Sequence, residues 1–133
     1  MDEALTATVR EAMPLAGHLG VEGVEAGHER VVLRGAWAPE HCTASGILHG
    51  GYLMTLADMT AAMLAYLNVP AGGTTTTIEA KTNFLAAVRS GAVTASAELV
   101  HKGRRTIVLQ VDTTDEAGRL VARTLQTQAV IED

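Results

Sequence analysis

The chain has 133 residues, of which 47% are hydrophobic, and this is enough for one domain with its own core. Because only 3% of the residues are aromatic, we expect that core to be aliphatic. The net charge of −5 argues against nucleic acid as a partner, and the single cysteine excludes an internal disulfide. The N-terminal residues do not match a secretion signal, so the sequence predicts a cytoplasmic protein without membrane attachment.

The first third of the chain predicts one helix and two strands. A short amphipathic helix is expected over residues 3–13, where Pro14 ends it. Apolar stretches around 19–27 and over 30–37 predict strands. A polar loop over 41–48 then leads the chain into its longest element.

That element is a predicted helix over 49–67, followed by a glycine- and proline-containing break. Alternating apolar residues then predict four antiparallel strands, over 74–85, 92–101, 105–114 and 119–131. This order predicts a single α+β domain over 1–133, with an N-terminal helical segment at 1–14 and a sheet curled over one central helix.

The long helix is apolar on nearly every side, which predicts burial. Its one acidic residue, Asp58, is either a structural carboxylate hydrogen-bonded at a polar seam or a general base or nucleophile. Gly50 and Gly51 at the start of the helix favour the second interpretation. Their N–H groups can approach a carbonyl oxygen closely at the positive end of the helix dipole.

Four motifs together resemble those of the hotdog-fold acyl-CoA thioesterases. They are GILHGG at 46–51, LADM at 56–59, TNFL at 82–85 and the Lys-Gly-Arg hairpin at 102–104. The sequence is most similar to the PaaI-type branch, which is related to phenylacetate-degradation and 4-hydroxybenzoyl-CoA thioesterases, and the similarity covers about residues 15–131. The resemblance implies a curved antiparallel sheet around one helix, and hydrolysis of an acyl-CoA thioester to free acid and coenzyme A without a cofactor.

The resemblance also implies roles for individual residues. Asp58 would activate water or attack the thioester, and the Gly50 N–H would polarise the thioester carbonyl. His49 would shape the pocket, although a ring bound to backbone at the helix entry is an equally good interpretation. Thr77 would orient the water. Thr43 departs from the pattern, because these enzymes often have asparagine there, and a hydroxyl cannot reproduce the donor and acceptor of an amide.

Basic residues are concentrated in the second half of the chain and could bind the phosphates of coenzyme A, although an ordinary solvated sheet edge explains each of them as well. The predicted substrate- and coenzyme-A-binding residues are Gly51, Lys81, Asn83, Arg89, Lys102, Arg104 and Arg105. The five histidines show no metal-ligand spacing, so no metal site is predicted. Cys42, beside His41, is interpreted as incidental.

Helix geometry predicts an assembly. Gly50 and Asp58 are eight residues apart, or roughly 12 Å along the axis, which is too far for both to reach one thioester carbon. Two antiparallel copies could bring Gly50 of one chain to Asp58 of the other, so we expect a homodimer with shared sites and a dimer of dimers beyond it. Two alternatives stay open, a hotdog enoyl-CoA hydratase and a non-catalytic acyl-CoA-binding module.

Overall fold

The computed structural model describes residues 1–132 and contains three α-helices and six strands. The helices are α1 (Glu3–Ala12), α2 (Pro14–His18) and α3 (Gly50–Tyr66). The strands are β1 (Glu22–Ala26), β2 (Arg30–Ala36), β3 (Thr74–Phe84), β4 (Ala92–Lys102), β5 (Thr106–Thr114) and β6 (Leu120–Ile131). The predicted elements are therefore present, with ends that differ by a few residues.

Two predictions for the N-terminal half need correction. Pro14 ends α1 but also begins α2, because proline suits the first position of a helix, where its missing N–H would have no partner anyway. The loop predicted over 41–48 contains short helical turns. One single-turn 3₁₀ helix, Pro39–His41, ends at its first residue, and a second, Ala44–Gly46, lies within it. An isolated bridge between Cys42 and Leu48 closes this segment into a compact turn before α3.

All six strands form one antiparallel sheet in the order β1-β2-β4-β5-β6-β3. The strands after α3 are consecutive in sequence, but β3 pairs with β6 and not with β4, so it lies at one edge of the sheet. The sheet packs around α3, and this confirms the predicted α+β architecture with one central helix. The alternation predicted for β4 and β5 is also confirmed, since Val93, Ala95, Ile107 and Leu109 are fully buried.

The central helix is buried on one side only, so the prediction of burial on all sides is wrong. The predicted apolar stripe is confirmed as the core face, with Leu53, Leu56 and Leu64 at most 4% exposed. The opposite face is accessible over its length and carries Asp58. Among residues 1–132, no helix is long and apolar enough to cross a membrane.

Tyr52 lies at the start of α3 with its hydroxyl against the backbone of β2. A Cβ at Gly35 would overlap this hydroxyl, so glycine is required at that point of the strand. The ring stacks on His41 at a centroid distance of 4.5 Å. The hydroxyl is buried and has no hydrogen-bond partner within residues 1–132. Burial raises the pKa of Tyr52 above its ordinary value of 10.0.

We predict that Tyr52→Phe increases the free energy of unfolding by about 1 kcal/mol, because it removes an unsatisfied buried hydroxyl while keeping the ring. The difference should grow as the pH rises above about 10, since the unfolded chain ionises its tyrosine first and the folded wild type then loses stability. Urea unfolding at pH 7 and above pH 10 measures both effects. Tyr66→Phe, at a residue that is 58% exposed, is the matched control and should change neither. A less stable Tyr52→Phe protein would contradict this account.

Candidate active site

Asp58 lies at the middle of α3, on its open face, where the helix crosses β3 and β6. Its Oδ1 accepts two hydrogen bonds, from the Thr77 hydroxyl at 3.0 Å and from the Gln126 amide at 2.6 Å. Within residues 1–132, no donor reaches Oδ2. One carboxylate oxygen is therefore held by neutral donors while the other is free to act on a ligand.

Two buried glutamines on β6 close the hydrogen bonds around Asp58 into a ring. Gln128 donates its amide to Thr77 Oγ1 at 2.7 Å and to Gln126 Oε1 at 2.5 Å. Gln126 and Gln128 are each 1% exposed. Because Gln128 supplies the protons to both acceptors, Thr77 and Gln126 are left to donate towards Asp58. The ring sets the direction of every hydrogen bond that the carboxylate receives.

A β-bulge positions Thr77 for this contact. Thr77 lies opposite Gln128 in the β3–β6 ladder, whereas Glu79 lies opposite Thr127, so Ile78 is the extra residue. Bulges bend a strand and re-aim its side chains, and they are common next to functional sites. Here the bulge follows directly after the residue that contacts Asp58.

Gln126 and Gln128 were missed by the sequence analysis because the alternation on β6 runs against the usual rule. Along this strand the inward side carries Thr124, Gln126 and Gln128, all buried, and the outward side carries Leu125, which is 42% exposed. A period-two interpretation would place the leucine inside and the glutamines outside. The one available signal was the pair of glutamines two residues apart in a predicted strand.

The N-terminus of α3 leaves one backbone donor free. His49 caps the helix, because its Nδ1 accepts from the Gly51 N–H at 2.8 Å, and its carbonyl accepts from Tyr52 and Leu53. Within the described residues, the Gly50 N–H has no acceptor. The Gly51 N–H, predicted to bind substrate, is thus already occupied, and Gly50 supplies the one unpaired donor at the positive end of the helix.

The ring of Phe84 lies close to Gly50 at the start of the helix. A Cβ on Gly50 would lie 3.0 Å from the Phe84 ring, which therefore covers the helix start closely. Thr43, six residues before His49, is exposed, and its N–H donates to the Ile47 carbonyl at 2.8 Å. Its hydroxyl makes no hydrogen bond within residues 1–132. Within one chain, then, the structure brings Thr77 to Asp58. Gly50 and His49 lie at the N-terminus of α3, and Thr43 lies in the turn that precedes it.

The basic residues are not gathered in one patch. Arg89 lies beside the turn before α3 and donates to the Ser45 carbonyl at 3.4 Å. Lys102 and Arg104 line a groove with Leu67 and other residues at the opposite end of that helix. The remaining predicted binding residues, Lys81, Asn83 and Arg105, are exposed. Between residues 1 and 132, no three His, Cys, Asp or Glu side chains are arranged to hold a metal ion.

Comparison with known proteins relates this geometry to a family. A model of the thioesterase superfamily matches residues 45–122, which are more than half of the chain and include α3 and β3, with Asp58 and Thr77. The 1,4-dihydroxy-2-naphthoyl-CoA hydrolase of Listeria monocytogenes is 35% identical over 85 residues, covering 64% of this chain and 69% of that protein.

Solved structures agree with the family match. A thioesterase from Haemophilus influenzae superposes with a TM-score of 0.90 at 28% identity, over 98% of this chain and 90% of the other. A mutant of the phenylacetic acid degradation protein PaaI from Thermus thermophilus superposes with a TM-score of 0.80 at 26% identity, over 87% and 96%. The chain belongs to the thioesterase superfamily and has the hotdog fold of its PaaI-type members.

Proposed function

We propose that this protein hydrolyses an acyl-CoA thioester to a free acid and coenzyme A, with Asp58 as general base or nucleophile. The observation that carries the proposal is the asymmetry of the Asp58 carboxylate, whose Oδ1 is held by Thr77 and Gln126 while Oδ2 is free. Membership of the thioesterase superfamily supports thioester hydrolysis. The similarity to a relative named as a CoA hydrolase supports coenzyme A as the thiol.

In the general-base route, Oδ2 takes a proton from water while the water oxygen attacks the thioester carbon. The carbonyl oxygen becomes an oxyanion, and the free Gly50 N–H donates to it. The C–S bond then breaks, and the proton passes from Asp58 to the departing thiolate. In the nucleophilic route, Oδ2 itself attacks the carbon, the thiolate leaves, and water hydrolyses the resulting anhydride. Both routes use the same free oxygen.

Both groups can act on one thioester only if two copies of the chain share the site. Eight residues separate Gly50 from Asp58, roughly 12 Å along the axis of one helix. We propose a dimer in which two α3 helices lie antiparallel across a two-fold axis, so that Gly50 of one copy faces Asp58 of the other. This arrangement gives two equal sites per dimer, and two such dimers would form the tetramer.

The two sheet edges differ in a way that supports this dimer. At the β1 edge, α1 shields the backbone, since the Asp2 N–H donates to the Gly23 carbonyl at 2.8 Å and the Gly23 N–H donates to Thr6 at 2.9 Å. At the other edge, β3 is exposed over most of its 11 residues and carries Ile78 at 58% and Phe84 at 52% exposure. A long, open edge strand is a template for pairing with another strand.

An antiparallel pair of α3 helices would also bring together the basic residues that lie at opposite ends of α3 in one chain. The C-terminal end of one α3 would lie beside the N-terminal end of the other. Lys102 and Arg104 of one copy and Arg89 of the other would then come to the same end of the helix pair. Arginine and lysine there would bind the phosphates of coenzyme A.

We expect Asp58→Asn to lower kcat by about 10²–10⁴-fold, because the amide can neither take a proton nor attack a carbon. Release of free thiol from aryl, short-chain and medium-chain acyl-CoA esters measures the activity. Asp112→Asn is the matched control, since that carboxylate pairs with Arg123 at 2.8 Å and lies on β5 between the buried residues Val111 and Thr113, on the other face of the strand. If Asp58 were structural, the variant would melt earlier while keeping its activity per folded molecule. Absence of thiol release by the wild type from every ester would refute the proposed function.

Gln126→Met should lower kcat about 10–100-fold with little change in KM, because it removes a donor of about 1.5–3 kcal/mol from the carboxylate without altering the substrate pocket. Steady-state kinetics on the best ester separates the two constants. Thr124→Val is the matched control, because Thr124 is buried on the same side of β6 and pairs with Thr82 instead. Equal kcat values for the two variants would show that Gln126 has no role in holding Asp58.

Complementation tests the shared site. Gly50→Pro removes the proposed donor, and proline suits the first helical position after His49, whose φ of −64° and ψ of 137° are compatible with a following proline. Mixed with Asp58→Ala under subunit exchange, it should restore about a quarter of the wild-type activity, since half of the dimers are mixed and each has one intact site. Gly50→Ala adds a Cβ against Phe84 but keeps the N–H, and so controls for crowding. No recovery despite exchange would place both groups in one chain.

A further inference from the structure

Gln128 lies behind the two groups that donate to Asp58. It is directly opposite Thr77 in the β3–β6 ladder and two residues after Gln126 on β6. Opposite residues on paired strands, and residues two apart on one strand, have neighbouring side chains on the same face of a sheet. One amide can therefore reach both donors. Because Gln128 is only 1% exposed, a substrate cannot reach that amide.

The Gln128 Nε2 atom carries two protons, and the structure uses both. One is donated to Thr77 Oγ1 at 2.7 Å and the other to Gln126 Oε1 at 2.5 Å. A threonine hydroxyl has one proton to give, and a glutamine amide has one donor end and one acceptor end. A single buried nitrogen thus decides how both neighbours present themselves to Asp58.

Turning the Gln128 amide round would reverse the hydrogen bonds. Its oxygen would then face Thr77 Oγ1 and Gln126 Oε1, so the hydroxyl would give its one proton to Gln128. Gln126 would turn as well, because two opposed amide oxygens repel, and its oxygen would then face the Asp58 carboxylate. An ionised carboxylate accepts only, so this second arrangement leaves Oδ1 without its donors. The orientation of Gln128 selects between the two.

We propose that Gln128 is a positioning residue for the hydrolysis, an inference that rests on the proposed thioesterase function. By donating to Thr77 and Gln126 together, it keeps both of them directed at Asp58 Oδ1 and leaves Oδ2 as the oxygen that acts on the thioester. It works through these two neighbours and touches no substrate. Its loss should therefore lower kcat and leave KM nearly unchanged.

Two substitutions of similar length test this role. Gln128→Met removes both donors and should lower kcat about 10–50-fold while KM changes less than about twofold. Gln128→Glu keeps the shape of the side chain, but a carboxyl group supplies at most one donor in either ionisation state, so kcat should be at least as low. Gln110→Met is the matched control, because Gln110 is half-buried on the other face of β5, and its kinetics should equal those of the wild type. Wild-type kcat in both folded Gln128 variants would overturn the inference while leaving the proposed function intact.

A double-mutant cycle separates positioning from packing. If Gln128 acts through the Thr77 hydroxyl, part of its effect disappears once that hydroxyl is gone. Gln128→Met should then lower kcat at least about threefold less in a Thr77→Val background than in the wild type. Effects of the two substitutions that simply multiply would show that Gln128 does not act through Thr77, and would overturn the inference.

Side-chain amide NMR tests the same role without activity. The Gln126 amide signals are identified by their loss in Gln126→Met. Their protons should exchange with solvent at least about tenfold faster in Gln128→Met than in the wild type or in Gln110→Met, because the hydrogen bond to Asp58 is no longer held in one direction. If no ester is hydrolysed, the proposed function fails, and this measurement still decides the inference. Unchanged exchange of the Gln126 amide would overturn it.

Discussion

The aliphatic side of α3 packs against the inner face of the sheet, and the geometry of the site depends on that contact. Leu56 and Leu64 are almost fully inaccessible and belong to one core cluster with residues of β2, β4 and β5. Each buried leucine side chain contributes about 1.5–3 kcal/mol. Because one side of the helix is held so firmly, the other side is fixed too, and Asp58 keeps a constant position beside β3 and β6.

The polar ring shows how a carboxylate is held at the border of an apolar core. Two buried glutamine amides would be costly without partners. Gln126 and Gln128 satisfy one another and, through Thr77, bring their hydrogen bonds to Asp58. Every bond in the ring points towards the carboxylate, so the network favours one arrangement of donors and acceptors. It also specifies the register of β6, since a shift by one residue would place Leu125 where the ring now closes.

One side of the molecule is left incomplete, and it is the side that bears the site. The β1 edge is shielded by α1, whereas the β3 edge and the Asp58 side of α3 are exposed. The free Gly50 N–H is at one end of that surface and Asp58 is at its middle. In the proposed mechanism, catalysis depends on assembly, because the surface that pairs two copies would also complete the site.

By itself, the sequence determined the element order, the core stripe of α3, the alternation of β4 and β5, and the fold class. These follow from local periodicity, which each element carries in its own residues. It also singled out Asp58, because a lone carboxylate in an apolar helix is conspicuous, and Thr77 through family resemblance. Only the tertiary structure decided that α3 has an open face, since that depends on what the sheet leaves uncovered. Gln126 and Gln128 likewise became visible only when β6 lay beside α3, because their burial reverses the usual pattern of the strand and is stabilised by partners distant in sequence.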